Sequence, residues 1–448
     1  MIAASLGRVL GRVLGRAAIA AAGSLLLALA PAHATNIQHV ISPGGIEAWL
    51  VQDATVPIIA MEYAFAGGSV QDPADKPGVA NMVAGTLDEG AGEFDAKAFR
   101  ERLERRAIEL SFNDSREYLR GSLRMLKEHR DEAFDLLRLA LTQPRFDQEA
   151  IDRVRAQVMA QLRRQSTSPN DIASRRFFQT AFPEHPYSWP PEGTMESVPK
   201  ISADDLRDYS KRILARETLK IAVVGDIDPA TLGTMLDRAF GALPAKPELR
   251  PIAPAVPKVA AGRVNVTLDV PQTVVLFGAP GIPRADKDFM TAFVLNHILA
   301  GGMTSRLYRE VREKRGLVYG ISETLVWFKQ TAFVFGSTAT RFDRANDTIE
   351  TTEKEIRRIA TEGPTETELN EAKSYLKGSQ MLSLDTSSKI AGAMLQYQID
   401  NLGIDYIDKR NSLVDAVTLD DARRVAKRLW DQQFLTVVVG RVAQPTAN

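Results

Sequence analysis

The feature that most constrains this chain is a repeat of very long period. Ser202-Ala203-Asp204-Asp205 leads to Lys211-Arg212 and then to Val223-Val224-Gly225. Thr418-Leu419-Asp420-Asp421 leads, at almost the same spacing, to Lys427-Arg428 and then to Val438-Val439-Gly440. In each copy a hydroxyl residue stands where it caps a helix, acids occupy the first turn, bases the last, and an apolar strand follows. Upstream, Pro144 to Glu149 and Pro364 to Glu368 introduce helices in matching places. Two copies at this period mean a duplicated domain and not a solenoid. Pro244, Pro247, Pro251, Pro254 and Pro257 between them mark a stiff linker.

Local patterns fill in both copies. Ile46 to Val51 and Val56 to Phe65 read as strands, followed by the loop Ala66-Gly67-Gly68-Ser69. Pro77-Gly78 opens a helix expected to run from Val79 to Leu87, and a second helix covers Ala96 to Arg106. Ile108 to Phe112 is a strand, Asn113-Asp114-Ser115 a turn, and Glu117 to Leu123 the returning strand. Helical patterns cover 128–141, 147–165 and 203–215. In the second copy Val274 to Phe277 is a strand, 286–299 a helix, and Leu325 to Phe328 with Thr331 to Phe335 a hairpin around Lys329-Gln330. Each half is expected to hold about six strands with several helices. The expected class is α+β: two homologous domains, each a mostly antiparallel sheet packed with helices. The expected boundaries are a signal peptide over 1–34, a first domain over 35–245, a linker over 246–262 and a second domain over 263–448.

Arg8, Arg12 and Arg16 precede an apolar run from Ala17 to Ala32, and Ala32-His33-Ala34 has the form of a cleavage site. The product is expected to be exported, and in a bacterium periplasmic. No other stretch is long and uncharged enough to suggest a membrane span. Basic and acidic residues balance at 56 each, so charge gives no reason to expect nucleic acid or an anionic membrane as partner. The absence of Cys excludes disulfides, thiolate zinc ligands, a thiol nucleophile and an acylated cysteine.

The densest motif is Gly301-Gly302-Met303-Thr304-Ser305-Arg306-Leu307-Tyr308, continuing through Arg312-Glu313-Lys314-Arg315-Gly316 to Leu317-Val318-Tyr319-Gly320. It reads as glycine loop, short helix and strand. Thr304 or Ser305 can cap the helix, Leu307 and Val311 share a face, and Gly316 supplies the stop. Arg312 then ends a helix and Tyr319 begins a strand. Taken alone, the pair also fits a solvated helix charge and an ordinary strand aromatic.

Together, Phe65-Ala66-Gly67-Gly68-Ser69, Pro77-Gly78-Val79-Ala80, the glycine loop and Arg312 to Tyr319 resemble the pitrilysin/insulinase family of zinc peptidases, which includes the mitochondrial processing peptidases. The resemblance covers nearly all of the chain after the leader. Zinc-holding relatives carry His-x-x-Glu-His on the helix after the Gly-x-Ala segment, with a distant Glu as third ligand. Here the window reads Asn81-Met82-Val83-Ala84-Gly85. Asn81 and Gly85 stand at the histidine positions, Ala84 at that of the base, and Gln161 near that of the third ligand. His39, His129, His185 and His297, the histidines beyond the leader, have no helical-ligand spacing.

The resemblance therefore implies a chain that binds no cofactor itself and pairs with a homologous subunit carrying His-x-x-Glu-His and zinc. It further implies that Arg312 and Tyr319 act in trans, stabilising the oxygen that gains charge during peptide-bond hydrolysis. Gly301 and Gly302 would let a peptide backbone approach, or would simply form a helix-entry turn. Peptides are the expected substrates. The alternative is a peptide-binding or assembly protein with the same fold and no chemistry. Ser374-Tyr375-Leu376-Lys377 has the Ser-x-x-Lys form, but its companion motifs are absent and it reads as chance.

Overall fold

The computed structural model of the chain describes residues 36–441, so the leader expected over 1–34 lies outside the described residues. The first half supplies strands β1 (Ile37–Ile41), β2 (Glu47–Gln52), β3 (Ile58–Ala66), the short pair β4 (Gly90–Ala91) and β5 (Phe94–Asp95), β6 (Glu109–Asp114), β7 (Tyr118–Leu126) and β8 (Lys220–Gly225). The second supplies β9 (Arg263–Thr267), β10 (Gln272–Pro280), β11 (Val318–Phe328), β12 (Thr331–Arg341) and β13 (Leu435–Gly440).

The repeat is visible in strand order. One sheet runs β1-β2-β8-β3-β7-β6, the other β11-β12-β10-β13-β9. Read from its far end, the second reproduces the first without β1. The pairs β2–β8 and β9–β13 are parallel, and the pairs from β3 to β7 and β8, β6 to β7, β10 to β12 and β13, and β11 to β12 are antiparallel. Registers agree too: Tyr63 faces Gly121 across β3–β7, and Phe277 faces Gly336 across β10–β12. A Cβ on either glycine would stand 2.1 Å from the facing ring, so each ring lies over the backbone of its partner strand. The second sheet has five strands rather than the expected six, because β9 has no neighbour equivalent to β1 among the described residues.

Each sheet carries a helix layer on one face. Over the first lie Val79–Ala84, Arg130–Thr142, Ala203–Ile213 and Pro229–Phe240; over the second lie Phe289–Ala300, Ala345–Glu362 and Leu419–Trp430. Ser202 and Thr418 cap their helices as the repeat predicts, accepting from the backbone N–H of Asp205 and Asp421. No helix among the described residues is long and apolar enough to cross a membrane.

On the opposite faces the halves exchange helices. Pro169–Ala181, from the first half, packs on β13 and β10, while Ser387–Ile399, from the second, packs on β8 and β3. Phe177, Phe178 and Phe182 meet Phe333 of β12, and the first two also meet Phe335. In return Gln398 Nε2 donates to the Ile221 carbonyl at 2.8 Å, and Gln396 Oε1 accepts from Arg120 at 2.9 Å. The hairpin tip adds a third tie. Both oxygens of Glu117 accept from the Lys329 backbone N–H, at 2.9 and 2.8 Å, and Tyr187, itself bonded to Glu117, accepts from Gln330 N at 3.2 Å.

The proline-rich segment 246–262 has no helix or strand, yet it is fastened along its length. Arg250 exchanges two bonds with the Gln71 amide, of 2.9 and 2.7 Å, Ala255 N donates to Gln330 and Lys258 N to Ala181. The turn expected at 113–115 falls later, because Ser115 bonds back to Tyr118 through both its N–H and its hydroxyl.

Candidate functional site

The segment at the degenerate zinc positions is short. Asp72, buried, accepts from Gly78 N at 2.7 Å and Ala80 N at 2.9 Å, closing the entrance to helix Val79–Ala84. The helix stops at Ala84 and not at the expected Leu87. Gly85 caps it, and the Thr86 hydroxyl bonds the Met82 carbonyl at 2.6 Å.

None of the four positions suits a metal. The Asn81 amide is committed to Asp114 Oδ1 at 2.8 Å, and Ala84 is buried. At Gly85 a Cβ would lie 3.0 Å from Val154 Cγ1, so the adjacent helix Gln148–Gln165 already occupies the space of a side chain. Gln161, exposed, is two turns further along that helix. Among the described residues no group of three or more His, Cys, Asp or Glu side chains could hold a metal ion. Burial, opposed by the Asn81 bond, lifts the Asp114 carboxyl to about 6, and its Oδ2 has no partner. Sequence reasoning missed this aspartate because the same stretch looked like a turn.

The histidines are likewise engaged elsewhere. His185 bonds Ala253 and Tyr187, His39 and His129 approach Glu47 and Glu128, and His297 stacks on Tyr375 with centroids 4.6 Å apart.

In the second half, helix Phe289–Ala300 ends at Gly301, where a Cβ would lie 2.2 Å from His297 Nδ1. That glycine makes room for the imidazole of its own helix. Gly302, at φ +148° with open space around it, is the position where only glycine sits without strain and where another backbone has access. Ser305 does not cap as expected; its hydroxyl turns back to the Gly302 carbonyl at 2.6 Å. Residues Tyr308–Glu313 then form a π-turn, with Lys314 N bonded to Arg309 O, and not an ordinary α-helix. Leu307 and Val311, expected on one face, are both buried, and Gly316, at φ +59°, ends the turn.

Arg306 anchors this turn from beneath. Its guanidinium is 5% exposed, forks onto Glu368 at 2.8 and 2.7 Å and donates to the Gly363 carbonyl at 3.0 Å. Burial alone would raise the Glu368 carboxyl, but the Arg306 and Thr365 bonds bring it down to about 2. The Lys314 and Arg315 bonds to Glu310 hold that carboxyl near 2 as well.

Above this base the structure brings Arg312 and Tyr319 together. Arg312 Nε donates to the Tyr319 carbonyl at 3.2 Å, and its guanidinium lies 4.8 Å from the Tyr308 ring centre. Both side chains are exposed, Tyr319 to 86%. An irregularity in the β11–β12 ladder between Val318 and Ile321 frees the strand entrance that carries the phenol. No hydrogen bond links this pair to Asn81 or Asp114 among the described residues.

Residues 49–194 match the insulinase family, peptidase family M16, and residues 200–376 match the peptidase M16 inactive domain. The chain belongs to peptidase family M16. Together the two matches span well over half of it. A non-peptidase homolog YmxG of Helicobacter pylori is 29% identical over 401 residues, covering 87% of this chain and 92% of that one. An uncharacterized zinc protease YmxG of Bacillus subtilis is 22% identical, with 90% and 98% covered. A crystal structure of a peptidase M16 inactive domain from Pseudomonas fluorescens superposes with a TM-score of 0.85 at 25% identity, covering 92% of this chain and 100% of that one. The M16 fold, with its helices and sheets in duplicate, is thus the fold of this chain.

Proposed function

We propose that this M16 chain is an exported, zinc-free subunit of a two-chain metallopeptidase. Its partner would be a homologous, zinc-bearing subunit with a His-x-x-Glu-His helix, and both would work on peptides in the periplasm. Zinc in that partner would supply the activated water. This chain's part is to hold Arg312 and Tyr319 against the oxygen that becomes negative as the peptide bond is attacked. The Gly301-Gly302 loop, open at Gly302, would lie along the peptide backbone.

The observation that carries this reading is the Tyr319 phenol. It is 86% exposed, has no hydrogen-bond partner among the described residues, and sits on a backbone whose carbonyl accepts from Arg312. Among the described residues nothing uses that hydroxyl, which leaves it available to another molecule. The match of residues 200–376 to an M16 inactive domain and the printed non-peptidase name of the Helicobacter relative agree with a member that brings no metal of its own.

Native mass spectrometry with metal analysis on the chain captured from its own cells tests the reading. The expected result is a one-to-one complex with a His-x-x-Glu-His protein and one zinc. A chain recovered alone and metal-free would favour a peptide-binding or assembly role.

A further inference from the structure

The turn between the glycine loop and β11 carries five cationic side chains, Arg306, Arg309, Arg312, Lys314 and Arg315. Two carboxylates take up four of them. Glu368 holds Arg306 at 2.7 Å and Arg309 at 3.6 Å, while Glu310 holds Lys314 at 2.6 Å and Arg315 at 2.7 Å. Glu313, next to Arg312 in the chain, is exposed and makes no ion pair among the described residues. Among the described residues Arg312 is therefore the cation of this turn left without a carboxylate.

What holds it instead is neutral. Its backbone is fixed by the bonds from Gly316 N to its own carbonyl, at 2.9 Å, and from Leu317 N to the Val311 carbonyl, at 3.0 Å. Its Nε donates to the Tyr319 carbonyl at 3.2 Å, and its guanidinium carbon lies over the Tyr308 ring, 4.8 Å from the ring centre. Tyr308 stands four residues before Arg312, so the two share a side of the turn, and it is half-buried there. The Tyr308 hydroxyl makes no hydrogen bond among the described residues, so the ring is the part of that side chain in use.

The kind of partner decides what a guanidinium can still do. A carboxylate takes it by the edge, two N–H groups at a time, and cancels its charge. An aromatic ring takes it by the flat side, and leaves both the donor edge and the charge for something else. Of the five donors of the Arg312 guanidinium only the one on Nε is spent among the described residues. The terminal nitrogens remain free, beside the uncommitted phenol of Tyr319.

We propose that Tyr308 is a positioning residue: its ring holds the Arg312 guanidinium by the flat side, clear of Glu310 and Glu313, with the donor edge turned outward. Its consequence for peptide hydrolysis rests on the role of Arg312 proposed above; the contact itself does not.

Arginine side-chain NMR on the protein tests the contact. With Arg312 identified through Arg312→Lys, its side-chain protons should lie upfield under the ring, move back in Tyr308→Leu and stay upfield in Tyr308→Phe. If the leucine variant fails to fold, the parent spectrum decides: no upfield shift at Arg312 relative to Arg309 and Arg315 overturns the proposal, as does a shift that survives loss of the ring. In a complex with the proposed zinc-bearing partner, Tyr308→Leu should lower kcat about two- to fivefold at unchanged KM, and Tyr308→Phe, which keeps the ring, should restore it. An effect of Arg312→Ala with none of Tyr308→Leu overturns the positioning role. No effect of Arg312→Ala overturns the proposed function instead, and the NMR result still decides the contact.

Discussion

Arg312 Nε and the Tyr319 carbonyl, 3.2 Å apart, join the end of a π-turn to the first residues of β11. The bond uses one face of the guanidinium and leaves the phenol uncommitted. The bond ties the backbone that carries the phenol to the turn that carries the guanidinium, so the two groups are presented side by side.

Changing Tyr319 to Phe removes only that hydroxyl. In a complex reconstituted with the proposed zinc-bearing partner, turnover of a peptide should fall about a hundredfold, the usual worth of such a donor. Affinity for the partner chain should stay the same. Equal turnover in mutant and parent would remove Tyr319 from the chemistry.

Beneath the site, Arg306→Ala leaves the partly buried Glu368 with only the more exposed Arg309, 3.6 Å away, as its cation. The expected cost is about 1–3 kcal/mol, read from urea unfolding at pH 7. Because the folded state holds Glu368 near 2, below its ordinary value of about 4.3, the pair's contribution is complete above that ordinary value and fades as pH falls toward 2. The gap between parent and mutant should therefore narrow at pH 3. A gap that stays constant from pH 7 to 3 would mean the guanidinium acts by packing alone.

Glu323 titrates in the opposite sense. Burial pushes its carboxyl up to about 7, against the bonds from Trp430 at 3.0 Å and Asn296 at 3.2 Å, and its second oxygen has no partner. A raised carboxyl contributes stability below its ordinary value and loses it as pH rises through the folded value. Glu323→Gln keeps an acceptor and carries no charge. Its melting temperature should match the parent at pH 4 and exceed it at pH 8.

The hairpin tip offers a test of how the halves are tied. Glu117→Ala removes both acceptors of the Lys329 amide. Hydrogen exchange at Lys329 and Gln330 should rise while the amides of β12 beyond the tip keep their protection. If the Lys329 amide stays protected, the hairpin is held by its aromatic packing and not by Glu117.

Much of this architecture was legible because it was written twice. Ser202 and Thr418 announced their helices, and the apolar runs after them became the central strands β8 and β13. The motif from Gly301 to Tyr319 was legible as a unit, and Arg312 did end beside Tyr319. What the sequence hid depends on distant partners. Arg306 looked like any charge in a basic stretch until Glu368 was beside it. The exchanged helices are read poorly by periodicity: Phe177 and Phe178 are adjacent and both meet the facing sheet, and Ser387–Ile399 buries only Ala391, Met394 and Leu395 fully. Their apolar faces are defined by the other half. The π-turn was hidden as well: local rules give Ser305 a capping oxygen that accepts from a backbone N–H, whereas its hydroxyl donates to the Gly302 carbonyl.

The exchange of helices also sets an order of events. Ala60, Ala64 and Ala222 on the outer face of the first sheet are wholly covered, and helix Ser387–Ile399 packs over their strands. While the chain is being made, the half that emerges first waits for a piece encoded near the end. A message cut short before Ser387 yields a first half with that face bare, not a smaller working protein. The exchanged helices make each half the custodian of the other's last piece, and so bind the two into a single inheritance.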